Sequence, residues 1–269
     1  IRASVIRGLK ANTWLSSSTR KEAIKKIETA KLFLVKPQTE ADWNFKPVKK
    51  YFTDKKHGNN VLFRRASSEK TLKELSEPRN PNRWDNPPLV VDAFYSPEDN
   101  KFFLPMGILQ YPFFDEKSRD SENLAAIGTI IGHELGHGID DQGAQYDHTG
   151  KVRQWFSTGD LKEFQARGAK FISQFNKIGH DGRLTLGENI GDHVGLTFSY
   201  AAAFPEGSSA PGVDKRDFFI AYARIWCAVS TPAMEQRLLK TDPHGSPMAR
   251  LNPPVITLAG FYDAFKCQE

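Results

Sequence analysis

The chain has 269 residues, with 37 Lys and Arg against 32 Asp and Glu, a net charge of +5. Its hydrophobic share of 39% and charged share of 26% fit a soluble globular protein that buries a core as one or two domains. No apolar run reaches bilayer-spanning length, and the basic pairs Lys49-Lys50 and Arg64-Arg65 are too sparse and too weakly interleaved with aromatics for nucleic-acid binding. A solvated basic face, with some attraction for acidic peptides, is the reading they support.

In chain order, the start reads as helices. Thr19 and Glu22 form a capping-box pattern, and Ala23, Ile24, Ile27, Ala30 and Leu34 follow at helical spacing up to a stop at Pro37. Residues 37–60 are polar and read as irregular. A short helix is predicted over Glu69–Leu75, before a turn-rich stretch from Pro78 to Pro88. Leu89–Phe94 and Lys101–Leu109 read as strands around the turn Ser96–Asn100. Ser121 is a candidate N-cap for a helix carrying Ala125, Ala126, Ile127, Ile130 and Ile131. Gly128, Gly132 and Gly136 leave one stripe of that helix bare. Interior glycine costs about 1 kcal/mol each, and close approach of another backbone would explain the stripe. A loop with Gly143 and Gly150 leads to a long helix near Gly159–Ile178. Leu184, Leu186, Ile190, Val194, Leu196 and Phe198 predict a mostly buried helix around Glu188, and Phe218–Val229 a core helix. The tail from Asn252 ends in a short helix with Phe261 and Phe265. The predicted class is α+β, predominantly helical, with a small sheet.

The chemistry concentrates in His133-Glu134-Leu135-Gly136-His137. Residues four apart share a helix face, so both imidazoles can reach one ion. Glu134 can project to the same place and act on a water activated there, which is the H-E-x-x-H arrangement of zinc hydrolases. Zinc takes neutral nitrogen ligands and keeps an open fourth position for catalysis. The blander alternative is a buried helix with two hydrogen-bonded histidines. A third ligand is offered by Glu188, with Asp192 one turn on. Two carboxylates on one buried face repel unless a positive charge lies near. A zinc ion on Glu188 supplies it, and Asp192 can accept from the far nitrogen of a ligand histidine. Without an ion, Glu188 would only favour a helix N-terminus.

With these residues the chain resembles the neprilysin family of zinc endopeptidases, which includes endothelin-converting enzymes and oligopeptidase O. Ordered blocks carry the resemblance: Val91–Pro97 with Leu104–Gln110, Ile131–Asp141 with Gly143–Tyr146, Gly187–Asp192, Asp242–Arg250, and Ala264–Cys267. The resemblance implies a thermolysin-like zincin catalytic domain over residues 88–269, with a small mixed sheet beside the H-E-x-x-H helix. Residues 1–87 are then a helical segment leading into this domain, and the domain is the C-terminal part of a longer precursor. It implies one zinc ion per chain on His133, His137 and Glu188, with Glu134 as catalytic base. Asp192 and Asp140 become hydrogen-bond partners of the ligand histidines, His244 a donor to the developing oxyanion, and Arg250 a binder of a substrate carbonyl. Asp92, Ala93 and Phe94 become the substrate-binding edge strand, and Phe94, Ile108, Phe113, Ile130 and Trp226 an apolar specificity pocket. Those five read equally as ordinary core. The chain departs from the family at Asp92, where Asn is usual. An ionised aspartate accepts but cannot donate. Gly191 replaces the commoner Ala, and His193-Val194 the commoner Asn-Gly.

The implied activity is hydrolysis of peptides on the amino side of hydrophobic residues. Two alternatives are a zinc-bearing peptide-binding module with lost or reduced catalysis, and a structural domain without metal. The chain opens on Ile1 rather than Met and shows no signal peptide, which suggests an internal fragment or processed chain. Its two cysteines, Cys227 and Cys267, could pair together, stay reduced or pair elsewhere. The resemblance implies pairing with the N-terminal segment of the same precursor, and therefore an extracytoplasmic setting: secreted, periplasmic, or the ectodomain of an anchored protein.

Overall fold

The computed structural model describes residues 1–43, 52, 54–84 and 86–267. Helices α1 (Arg2–Ala11) and α2 (Ser17–Thr29) open the chain. Ser16, not Thr19, caps α2: its hydroxyl accepts from the Thr19 amide, and Thr19 itself is buried within the helix. The helical spacing predicted through Leu34 breaks at Thr29. Lys31–Val35 is strand β1, because these residues pair with a neighbouring strand instead of continuing the helix. The basic pair Lys49-Lys50 and much of the segment read as irregular lie outside the described residues. The short helix predicted over Glu69–Leu75 is the end of a longer one, α3 (Lys56–Leu75), which buries no side chain and therefore shows no apolar period.

Strand β2 is Phe94–Ser96, which shares only Phe94 with the predicted strand, so Asp92 and Ala93 precede the edge strand instead of lying in it, and β3 is Lys101–Pro105, shorter than predicted. Residues 89–93 pair with nothing regular, and Met106–Ile108 turns into a single 3-10 turn. The sheet order is β1-β3-β2. β1 runs parallel to β3 with Leu32 opposite Phe102, and β2 runs antiparallel with Tyr95 opposite Phe102. The segment before residue 88 thus contributes a strand to the mixed sheet. All five residues of central β3 are buried. Lys101 tolerates this because its ammonium donates to the Arg83 carbonyl at 3.0 Å, pairs with Asp99 at 2.9 Å and lies over the Phe33 and Phe103 rings.

Helix α4 (Asp120–Asn123) follows Arg119 as N-cap, so Ser121 sits inside its first turn. It continues through a π turn at Leu124–Gly128 into α5 (Thr129–Gly136). Next come α6 (Thr158–Lys177), α7 (Leu186–Ala203) and α8 (Gly212–Ile225). α8 ends before the predicted Val229, which is fully exposed. Two helices were not foreseen: α9 (Pro232–Thr241) and α10 (Pro247–Val255), ahead of α11 (Ala259–Phe265). Phe218 and Tyr222 of α8 are wholly buried. Tyr200 of α7, Phe204 just after it, Phe218 and Phe219 of α8 and Phe261 of α11 form one aromatic cluster. Such offset and edge contacts add to burial energy.

The packing of α5 on α7 sets everything else. A Cβ placed on Gly132 would lie 2.8 Å from the Gly195 Cα, and one on Gly136 would lie 3.1 Å from the Gly191 Cα. The bare stripe on α5 therefore meets a second bare stripe on α7, and the two backbones touch. This refines the expectation for α7. Its buried face is Asn189, Gly191, Asp192, Gly195, Leu196 and Ser199, while Ile190, Val194 and Phe198 are only half-buried and Leu184 is exposed.

This contact yields a stability test. A Cβ at residue 195 would lie 2.5 Å from the Thr129 carbonyl oxygen, whereas one at Gly159 meets nothing within 4 Å. Gly195→Ala forces backbone movement, an overpacking cost of about 1–3 kcal/mol, and is expected to lower the melting temperature by several degrees. Gly159→Ala is expected to leave it unchanged or slightly raised. Equal melting temperatures for the two variants in a thermal scan would show that the helices are not in backbone contact.

Candidate metal centre

His133 and His137 project from the end of α5, and Glu188 and Asp192 from the first turns of α7. Backbone contact between the helices brings the four side chains together. His133 Nε2 lies 3.1 Å from Glu188 Oε2, and His137 Nε2 lies 3.7 Å from Glu188 Oε1. The two rings stand edge to face, 4.5 Å between centroids. One ligand atom from each of His133, His137 and Glu188 lies within 4.8 Å of the others, a group that could hold a metal ion.

The opposite nitrogens show why. His133 Nδ1 is 2.8 Å from Asp192 Oδ1, and His137 Nδ1 is 2.7 Å from Asp140 Oδ2. With Nδ1 donating to a carboxylate, each Nε2 of a neutral ring carries a lone pair facing Glu188. Lone pairs against carboxylate oxygens repel unless a cation lies between them. Burial pulls the proton affinity of His133 down, but Asp192 and Glu188 push it up to about 10, the mark of a place that favours positive charge. Burial likewise pushes Glu188 up, yet His133 and His244 hold it well below the usual carboxylate range. A pair of imidazoles and one carboxylate suits zinc among the divalent ions.

The supporting residues are themselves fixed. Asp140 also accepts from the Gln142 amide at 2.9 Å and the Gly143 amide at 2.6 Å. Asp192 is gripped by both ends of the Arg250 guanidinium: Nε donates to Oδ2 at 2.8 Å and Nη2 to Oδ1 at 2.7 Å. Arg250 lies on α10, over the Trp226 ring at 4.2 Å from its centroid. From below, buried Lys26 of α2 donates to the Gly143 and Tyr146 carbonyls at 2.5 and 2.6 Å, pinning the loop after Asp140. Gly191 presses on the His133 ring, where a Cβ would come within 2.9 Å.

A cleft opens over this group. His133, Glu134, His137, Glu188, His244 and Arg250 line it together with Asp92, Ala93 and Phe94 on the sheet side. Ile108, Phe113, Ile130 and Trp226 form an apolar part of the same wall. The structure therefore gathers every residue singled out in the sequence, with Asp192 reached through His133 and Arg250. Glu134 is buried at the cleft floor, and burial pushes its carboxyl above the ordinary range. His244 is partly exposed. Its Nε2 lies 3.1 Å from Glu188 Oε2, and its Nδ1 lies 2.8 Å from Asp242 Oδ1. Asp92 is exposed at the rim, one carboxylate oxygen accepting from the Ala93 amide at 2.9 Å. Sequence reasoning did not single out Asp242, although its place two residues before His244 is the signal that could have. Lys26 gave no such signal, since a lysine among helical polar positions reads as solvated.

The profile of Peptidase family M13 matches residues 92–269. An endothelin-converting enzyme homolog from Locusta migratoria is 32% identical over 99% of this chain and 39% of its own length. A neutral endopeptidase from Lactococcus lactis subsp. cremoris is 31% identical over 97% of this chain and 42% of its own. A crystal structure of the Mycobacterium tuberculosis zinc metalloprotease Zmp1 with an inhibitor superposes with a TM-score of 0.91 at 30% identity, over 99% of this chain and 43% of that one. The chain thus spans about two fifths of the length of these relatives.

Metal retention tests the arrangement. Glu188→Ala is expected to abolish stoichiometric binding, read by elemental analysis after gel filtration. Asp140→Asn is expected to weaken affinity roughly 10- to 100-fold in competition with a chelating dye, because the His137 ring loses its charged partner. Wild-type affinity in Asp140→Asn would remove Asp140 from the site.

Proposed function

The chain belongs to peptidase family M13, and from that membership and the cleft we propose that it carries the catalytic site of a zinc-dependent endopeptidase acting on peptides. The observation that carries the reading is the convergence of His133, His137 and Glu188 on one point, with the buried Glu134 carboxylate lining the same cleft. A zinc ion held by those three residues would polarise the scissile carbonyl and acidify a water. Glu134 takes the water's proton and passes it to the leaving nitrogen. Its burial raises its proton affinity, which suits a base that must later act as an acid. His244, held at Nδ1 by Asp242, presents Nε2 to the cleft and donates to the oxyanion that develops on the attacked carbonyl. Arg250, anchored on Asp192 and Trp226, binds a second substrate carbonyl and keeps Asp192 aligned with His133.

The sheet supplies the substrate rail. β2 is an edge strand, and an extended peptide can add to it. Ile108, Phe113, Ile130 and Trp226 with Phe94 give the cleft an apolar recess, which supports cleavage on the amino side of hydrophobic residues. Residues 88–269 hold the cleft, and residues 1–87 buttress it through β1 and Lys26. Among the described residues no helix is long and apolar enough to cross a membrane. Cys227 and Cys267 are exposed free thiols. That they pair with the N-terminal segment of the same precursor in an extracytoplasmic setting is part of this proposal and rests on the family resemblance alone.

Cleavage of a quenched peptide should stop on chelation and return with zinc. Glu134→Gln should keep the metal and lose about 100- to 10,000-fold in turnover, so near-normal turnover would remove Glu134 as base. At the rim, the carboxylate of Asp92 accepts but cannot donate. Asp92→Asn restores the donor and is expected to raise kcat/KM on neutral peptides by roughly five- to tenfold, the worth of one hydrogen bond. An unchanged or lower kcat/KM would show that Asp92 does not limit substrate binding.

A further inference from the structure

We propose that His180 is a positioning residue of this cleft: it holds the backbone between His244 and Arg250 by accepting the Ser246 amide proton. The proposal rests on the peptidase reading above. His180 lies in the loop joining α6 to α7, 66 residues before Ser246 in sequence, and is buried at 9% exposure. The Ser246 N–H donates to its Nε2 at 2.9 Å. An N–H can donate only to a bare nitrogen, so the ring is neutral with its proton on Nδ1. Burial, which lowers its proton affinity, favours that state.

The loop is built to present this ring. Gly179 takes φ +90°, the left-handed conformation that ends α6. The His180 amide donates to the Phe175 carbonyl at 3.1 Å, and the Gly182 amide to Asn176 Oδ1 at 2.8 Å. The Phe175 ring stands edge to face with His180, and Gly245 lies close against it. The held segment has few other fastenings. Ser246 is the N-cap of α10 but makes no side-chain cap bond. Among the described residues, hydrogen bonds from other elements reach the backbone of residues 242–250 at three points. At its start the Asp242 amide donates to the Leu238 carbonyl of α9 at 2.9 Å, in the middle His180 takes the Ser246 amide, and at its end the Tyr222 hydroxyl donates to the Arg250 carbonyl at 2.7 Å. The His244 side chain is braced by Asp242 of its own segment and reaches Glu188 at 3.1 Å, while Arg250 is separately anchored on Asp192; the hold on residue 246, between them, contributes to the placement of His244 relative to Arg250. A small displacement of a donor aimed at a transition state costs rate steeply.

The test uses the full chain, a quenched peptide and three variants. His180→Phe keeps a ring without an acceptor, His180→Ala removes the ring, and His180→Gln offers an amide oxygen at similar reach. We expect Phe and Ala to lower kcat about tenfold with KM within about threefold and one metal ion retained, and Gln to stay within about threefold of wild type. In the His244→Ala background, His180→Phe is expected to cost less than twofold further, because coupled residues are not additive. Wild-type turnover in His180→Phe and His180→Ala, no rescue by Gln, or losses that multiply with His244→Ala would overturn the assignment. Hydrogen exchange reads the same contact without turnover. Segment 242–250 should exchange at least tenfold faster in His180→Phe and not in His180→Gln, with 129–137 unchanged, and equal rates would overturn it. Absence of any chelator-sensitive cleavage by the wild-type chain would instead refute the peptidase reading, leaving the exchange result to decide the role of His180.

Discussion

The contact between the bare faces of α5 and α7 is the constraint on which the site depends. Helices normally stand 8–10 Å apart because side chains separate them. Here Gly132 and Gly136 meet Gly195 and Gly191 with no side chain between. The imidazoles of one helix therefore reach the carboxylates of the other without stretching. A Glu side chain is short. At ordinary spacing, Glu188 could not sit beside both Nε2 atoms while Asp192 reaches the far side of His133. The helix-propensity cost of the glycines is offset by this geometry rather than by any gain in the helices themselves.

Around that contact, charge alternates outward. The ligand group is negative, the rings need a cation, and each ring is backed by an aspartate. Asp192 is backed in turn by Arg250, and Arg250 by the face of Trp226. Each buried ion is thereby paired, as burial in a weakly polar interior requires. Asp140 is held differently, by backbone amides at the turn after α5, and Lys26 steadies that turn from the opposite side. The two histidines are thus oriented by independent supports, one from a distant helix and one from a local turn.

The part of this that is legible in sequence is the part that obeys short periods. His133 with His137, and Glu188 with Asp192, are each four apart, so a helix alone predicts that they share a face. The glycine stripe is legible as a demand for a close neighbour, though not which neighbour. Other features are set by tertiary contacts. Lys31–Val35 continues the helical spacing of Ile27 and Ala30, and only pairing with β3 makes it a strand. The length of α3 leaves no apolar trace because the helix buries nothing. α10 hides behind Pro247, Pro253 and Pro254, residues that read as loop although proline at the first turn starts a helix well. Arg250 therefore gives no hint of its helical placement, and His180 none of its role, since a histidine in a Gly-rich turn normally faces solvent.

The wide separation of the cleft's parts along the chain has a consequence for how the molecule forms. His133 and Asp192 are 59 residues apart, and Asp192 and Arg250 a further 58. No local stretch of unfolded chain brings these groups together, so closing the loops precedes any reward from their contacts. An ion that needs all three ligands binds the finished arrangement and has little affinity for the disordered chain. Mass action then turns metal availability into folding stability, about 4 kcal/mol when free ion exceeds its dissociation constant a thousandfold. The proposed metal centre would in this way also act as a late clasp on the domain, and metal supply and conformational survival would become one variable.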